Sequence, residues 1–126
     1  MKVVVYGTLK KGGRLHRYMG TSKFLIDVAV TGFKMYDTGF GYPFVIEGAD
    51  EDKVWGEKYE IDDRTLKKLD MIEGIDEGLF KRVDLKDVKG WSDKKDSTYI
   101  YVGNSYFLKT DPSKEIKNGI WDVNKN

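Results

Sequence analysis

VWGEKYEIDDRTLKKLDMIEG, residues Val54–Gly74, is the stretch that decides the fold class. Its first part, Val54–Ile61, alternates β-branched and aromatic residues with polar ones, the pattern of a strand. Asp62 or Asp63 then supplies a helix N-cap, and Leu66 and Leu69 begin an apolar helical stripe. Gly74 sits where a left-handed helix stop is wanted. This is the clearest helix in the chain, and it follows a strand without a matching partner helix elsewhere.

Outward from it, the flanking segments read as short strands. Toward the N-terminus, Val3–Tyr6 is a β-branched run halted by Gly7, the signature of a buried strand running into a tight loop. Arg14–Met19 carries one or two helical turns ended by Gly20. Phe24–Thr31 and Phe33–Tyr36 read as strands around Gly32. Gly39, Gly41 and Pro43 mark a loop before the extended piece Phe44–Ile46. On the other side, Phe80–Val88 alternates as a strand, Lys89–Asp96 is a polar turn, and Thr98–Val102 returns as a strand. About six strands and one good helix do not alternate as a doubly wound βαβ fold requires. The expected class is α+β: a small mixed, mostly antiparallel β-barrel with one or two flanking helices. The length suits a single domain over 1–126, with 109–126 a loosely packed tail anchored by Ile116, Ile120 and Trp121 and fraying at Asn124–Asn126.

Composition removes several function classes. The chain has no cysteine and one histidine, His16, so disulfides, thiolate sites and histidine-built zinc are excluded. The acidic residues lack calcium-loop spacing, and no metal or cofactor is expected. Twenty-two basic residues face twenty-one acidic ones, so no broad basic face for nucleic acid is signalled. Lys10, Lys11 and Arg14 form the one local basic run, read as a solvated loop. No apolar run approaches the roughly 20 residues that span a bilayer. MKVVVYGTLKKGG has too short an apolar stretch for a signal peptide, which reads as a cytoplasmic protein without membrane partners. Oligomeric state has no signature here.

Two constellations carry chemistry. The first is the strand running into Tyr6-Gly7-Thr8-Leu9. Such a turn exposes successive backbone amides that can hold a carboxylate or a polarised carbonyl oxygen. The same four residues also fit a plain strand-to-loop turn. The loop lacks the G-x-x-x-x-G-K-[ST] ending of a phosphate loop, so nucleotide binding is unsupported. The second is Glu73, which shares a helix face with Leu66, Leu69 and Asp70. An acid beside the buried stripe is costly without a purpose. Desolvation and the negative end of the helix dipole would raise its pKa toward the range of a general base. A solvent-facing Glu at a frayed helix end is the competing reading. Asp70 suits a structural hydrogen bond better, and Glu57, beside Trp55 and Tyr59, is a supporting candidate.

Taken in order, VVVYGTLKKGG with His16, MYDTG, YPFVIEG, VWGEKYEID, LDMIEG, FKRVDL, YIYV and GIW make a specific set. The chain resembles the gamma-glutamyl cyclotransferase-like family, which includes gamma-glutamylamine cyclotransferases. The resemblance implies a small β-barrel with a cavity. It implies that backbone groups of Tyr6, Gly7, Thr8 and Leu9 hold a gamma-glutamyl moiety, and that Glu73 is the catalytic acid/base. Some members carry Tyr where this chain has Phe80, and Tyr36, Tyr42 or Tyr101 could supply the missing hydroxyl.

The implied reaction closes the substrate's alpha-amine onto its side-chain carbonyl, giving 5-oxoproline and a released amine. The identity of that amine is left open. One alternative is a non-catalytic binding module for gamma-glutamyl or other small carboxylate metabolites. Another is a protein-interaction module using Trp91 and Trp121 as exposed anchors.

Overall fold

Val3, Val4 and Val5 are all buried, which demands cover on both faces of their strand. The computed structural model describes residues 1–124 and meets that demand by placing this strand at the centre of a sheet. In chain order the elements are β1 (Lys2–Val5), β2 (Lys23–Thr31), β3 (Phe33–Asp37), β4 (Pro43–Glu47), β5 (Lys53–Glu60), α1 (Asp63–Ile72), β6 (Phe80–Asp84) and β7 (Thr98–Gly103). Short 3-10 turns occupy His16–Met19, Leu85–Asp87 and Pro112–Lys114. Five strands form one sheet in the order β2-β5-β1-β7-β6, and β3 and β4 form a separate ribbon. Every pairing is antiparallel except β1 with β7, which is parallel.

The class is therefore α+β with a mostly antiparallel sheet and one α-helix among the described residues. The expected closed barrel is not found. The ladder ends at β2 and β6, so backbone hydrogen bonds do not join the sheet into a ring. The β3–β4 ribbon pairs as a hairpin and is not laddered to the five-stranded sheet.

Side-chain alternation along β1 divides the core. Val3 and Val5 face one cluster with Leu66 and Leu69 of α1, while Val4 and Tyr6 face another with Met35, Val45 and Trp121. Trp121, 7% exposed, is thus a core residue and not the exposed anchor of an interaction surface. Residues after 109 are tied to the ribbon and sheet by backbone bonds, Ile116 N–H to Met35 C=O at 2.8 Å and Trp55 N–H to Gly119 C=O at 2.8 Å. Of the expected fraying segment, Lys125 and Asn126 lie outside the described residues.

One strand boundary differs from expectation for a local reason, and the ends of α1 fall where expected. The strand expected over Phe80–Val88 stops at Asp84, whose carboxylate accepts from Lys86 N–H at 3.1 Å and starts a 3-10 turn. At α1 the N-cap is Asp62, accepting from Thr65 N–H at 2.8 Å. The helix closes in a Schellman motif: Gly74 has φ +65, Gly74 N–H reaches Met71 C=O, and Ile75 N–H reaches Asp70 C=O. Glu73 is the C-cap itself, held by its N–H to Leu69 C=O at 2.9 Å. Among the described residues, no helix is long and apolar enough to cross a membrane.

Candidate active site

Where β1 leaves the sheet, a cavity of about 260 Å³ opens between the loop after it and the C-terminal end of α1. Tyr6, Gly7, Thr8 and Leu9 line one side, and Glu73 lines the other with Phe80 and Tyr101. Tyr42, on the segment entering β4, lines it as well.

The loop is held by its neighbours so that its amides stay free. Gly7 C=O accepts from Lys10 N–H at 3.0 Å, and Thr8 C=O accepts from Leu15 N–H at 3.0 Å. His16 Nδ1 lies 2.9 Å from Leu9 C=O, so that nitrogen carries a proton and donates it. Gly7 is needed for close approach: a Cβ there would come within 2.8 Å of the Pro43 ring. Gly13 is needed likewise, since a Cβ would collide with the Thr8 carbonyl. Among the described residues, the N–H groups of Gly7, Thr8 and Leu9 find no protein acceptor. Such a row of unpaired donors next to a cavity suits an anionic or polarised oxygen.

Tyr6 contributes its backbone to this rim but commits its hydroxyl elsewhere. The phenol donates to Tyr101 C=O at 2.8 Å and accepts from Val45 N–H at 3.3 Å, riveting β1 to β7 and β4. Burial, reinforced by the nearby Glu73 charge, raises its pKa well above the ordinary phenol value.

Glu73 is partly accessible and lines the cavity, and no hydrogen bond or ion pair engages its carboxyl among the described residues. Burial pushes that carboxyl up from 4.5 to about 7. It therefore exists in both protonation states near neutrality, as a group that takes up and returns protons must.

Asp70, one turn earlier, is fully engaged. It accepts from the Tyr101 hydroxyl at 2.8 Å and pairs with Arg82 Nη1 at 2.6 Å. Tyr101 thus reaches the cavity wall with its hydroxyl already donating a hydrogen bond to Asp70, and burial with that bond raises its pKa. Phe80 is buried and presents an apolar ring. The Tyr42 hydroxyl has no protein partner among the described residues, whereas its carbonyl accepts from Thr38 Oγ1 at 2.6 Å. Glu57 is not brought to the cavity. It accepts from Lys11 N–H and from the Tyr59 hydroxyl, both at 2.8 Å, bracing the chain just past Leu9.

Arg14, expected in a solvated loop, is exposed and also lines this cavity. The glycine pair Gly12-Gly13 after the YGTL turn is the signal that could have found it, because a Cβ-free Gly13 lets this segment lie against Thr8.

The chain belongs to the family described as gamma-glutamyl cyclotransferase, AIG2-like, whose profile matches residues 3–123. A gamma-L-glutamyl-butirosin B gamma-glutamyl cyclotransferase of Niallia circulans is 33% identical over 81% of this chain and 67% of its own length. The gamma-glutamylcyclotransferase family protein YtfP of Escherichia coli is 31% identical over 96% of both chains. A crystal structure of a Pyrococcus horikoshii protein superposes with a TM-score of 0.71 at 28% identity, covering 95% of this chain and 88% of that one.

Proposed function

We propose that this protein is a gamma-glutamyl cyclotransferase that converts a gamma-glutamyl amide into 5-oxoproline and the free amine. Residues 1–126 act as one domain, with 109–126 its tail, working in the cytoplasm on a small-molecule substrate without a metal or cofactor. The observation that carries the reading is Glu73: a desolvated carboxyl with a pKa of about 7 shares a cavity with three unpaired amides.

In this mechanism the amides of Gly7, Thr8 and Leu9 hold oxygens of the glutamyl group and bend the substrate toward a five-membered ring. Ionised Glu73 takes a proton from the substrate's alpha-ammonium, freeing the amine to attack the side-chain carbonyl. The new C–N bond forms, and the old amide C–N bond breaks as Glu73 returns a proton to the departing nitrogen. Two protons pass from the attacking to the leaving nitrogen overall, so one carboxyl working in alternation suffices and no water is consumed. Tyr42 offers the hydroxyl that Phe80 lacks, because the Tyr101 hydroxyl is already bonded to Asp70. Glu57 supports the loop through Lys11 N–H.

A carboxylate kept for pairing with the ligand's alpha-ammonium would be best held ionised, whereas Glu73 is pushed up to about 7 by burial, which favours proton transfer over the binding-module alternative. The test is mass-spectrometric detection of 5-oxoproline after incubation with a panel of gamma-glutamyl amino acids and amines. Binding without product across the panel would reverse the preference.

A further inference from the structure

Two charged side chains line the cavity, Glu73 and Arg14. Arg14 is exposed, and among the described residues its guanidinium makes no hydrogen bond and no ion pair. The next arginine in the chain behaves differently: Arg17 donates to Arg14 C=O at 2.7 Å and lies over the Tyr18 ring at 4.6 Å. Arg14 is nevertheless seated. A Cβ on Gly41 would come 2.6 Å from its Nη1 and 3.6 Å from its Cζ, so the guanidinium rests against that glycine. The turn that carries Gly41 is itself pinned by Thr38 N–H to Tyr42 C=O at 3.1 Å and Gly39 N–H to Asp37 Oδ1 at 2.7 Å. The other side of the seat is fixed by Leu15 N–H on Thr8 C=O. A cation is therefore held at the opening of the cavity with its donors unspent.

Resting on the cyclotransferase reading above, the geometry points to Arg14 as the group that recognises a carboxylate on the leaving amine. The preferred substrates are then gamma-glutamyl amino acids or peptides, not neutral or cationic gamma-glutamyl amines. With the glutamyl moiety between the Gly7–Leu9 amides and Glu73, the leaving group extends to the opening, where Arg14 lies. A guanidinium matches a carboxylate with two parallel hydrogen bonds and repels an ammonium. Glu73, the other charged group of the lining, cannot neutralise a substrate carboxylate.

The test uses gamma-glutamylglycine and gamma-glutamylglycinamide, which differ by a carboxylate against a neutral amide of equal size. The native protein is expected to favour the acid about tenfold in kcat/KM, the loss for the amide lying in KM. Arg14→Gln should bring that ratio near one, and Arg14→Lys should keep part of it. Equal use of the two compounds by the native protein overturns the inference while the cyclotransferase reading stands. An Arg14→Gln variant that loses both activities in proportion also overturns it, because Arg14 would then serve the common glutamyl part. No 5-oxoproline from either compound overturns the cyclotransferase reading and this inference with it.

Discussion

Asp70 and Glu73 stand one turn apart on the same face of α1, and they have opposite fates. Both oxygens of Asp70 are used, one by Tyr101 and one by Arg82, so its negative charge is matched where it lies. Glu73 has no such partners and meets burial alone, which lifts its carboxyl to about 7. A carboxylate whose hydrogen bonds are complete is a strut. One left incomplete beside unpaired amides is a candidate for meeting a ligand.

The sharpest way to break this comparison is to neutralise each acid in turn. Glu73→Gln keeps the size and removes the titrating proton, so turnover should fall roughly 10²–10⁴-fold while ligand binding persists. In the native protein, kcat/KM should rise with pH through about 7, as Glu73 becomes the ionised base. A Gln variant that releases 5-oxoproline at a near-native rate would erase the distinction between the two residues.

The same substitution has an opposite consequence for stability. The unfolded chain loses the Glu73 proton near 4.5 and the folded chain only near 7, so the folded state binds more protons across that window. Stability from this group is therefore complete below 4.5, declines as pH rises, and is lost above about 7. Glu73→Gln should then stabilise the protein at pH 8 by up to about 3 kcal/mol, with the gain shrinking toward pH 5. Denaturant unfolding at the two pH values reads this directly, and a pH-independent difference would mean the carboxyl is not desolvated.

For Asp70 the expectation reverses again. Asp70→Ala strands the Tyr101 hydroxyl and the Arg82 guanidinium, which should cost about 1–3 kcal/mol in chemical denaturation. Turnover should suffer far less than in Glu73→Gln, through small displacement of Tyr101. Equal losses of activity would make the pair one catalytic unit instead of a strut and a base.

How much of this could be read before folding follows from what each feature depends on. The helix was legible because its signals are local: an Asp cap, a Leu66–Leu69 stripe and a Gly74 stop, all within one short stretch. Its phase alone put Glu73 beside the core. β1 was legible from three consecutive valines, since full burial leaves few alternatives to a central strand. The sheet order was not, because the parallel pairing of β1 with β7 joins opposite ends of the chain and leaves no mark in either strand. The expected barrel followed from the strand count and the resemblance together, and the separation of the β3–β4 ribbon from the main sheet is a long-range outcome. The place of Arg14 was half legible: the adjacent Gly12-Gly13 pair signals a close approach to Thr8, but its contact with Gly41 is long-range and leaves no local mark.

The smallest effect sharpens the comparison within the tyrosines of the cavity. Tyr101 and Tyr42 both reach the wall, but Tyr101 donates its hydroxyl hydrogen bond to Asp70 at 2.8 Å, and among the described residues Tyr42 has no protein partner for its hydroxyl. If the free hydroxyl is the one that meets substrate, Tyr42→Phe removes a single neutral hydrogen bond from the bound state. That loss is about threefold to tenfold in kcat/KM. Stability should hardly change, because no buried group is left without a partner. Tyr101→Phe should show the reverse balance: it leaves an Asp70 oxygen short of a donor, so unfolding moves more than catalysis. Measuring both variants by 5-oxoproline release and by denaturant midpoint gives a two-by-two comparison. A Tyr42→Phe protein with native kcat/KM would remove Tyr42 from the substrate's contacts, leaving the apolar Phe80 side of the cavity without a hydroxyl.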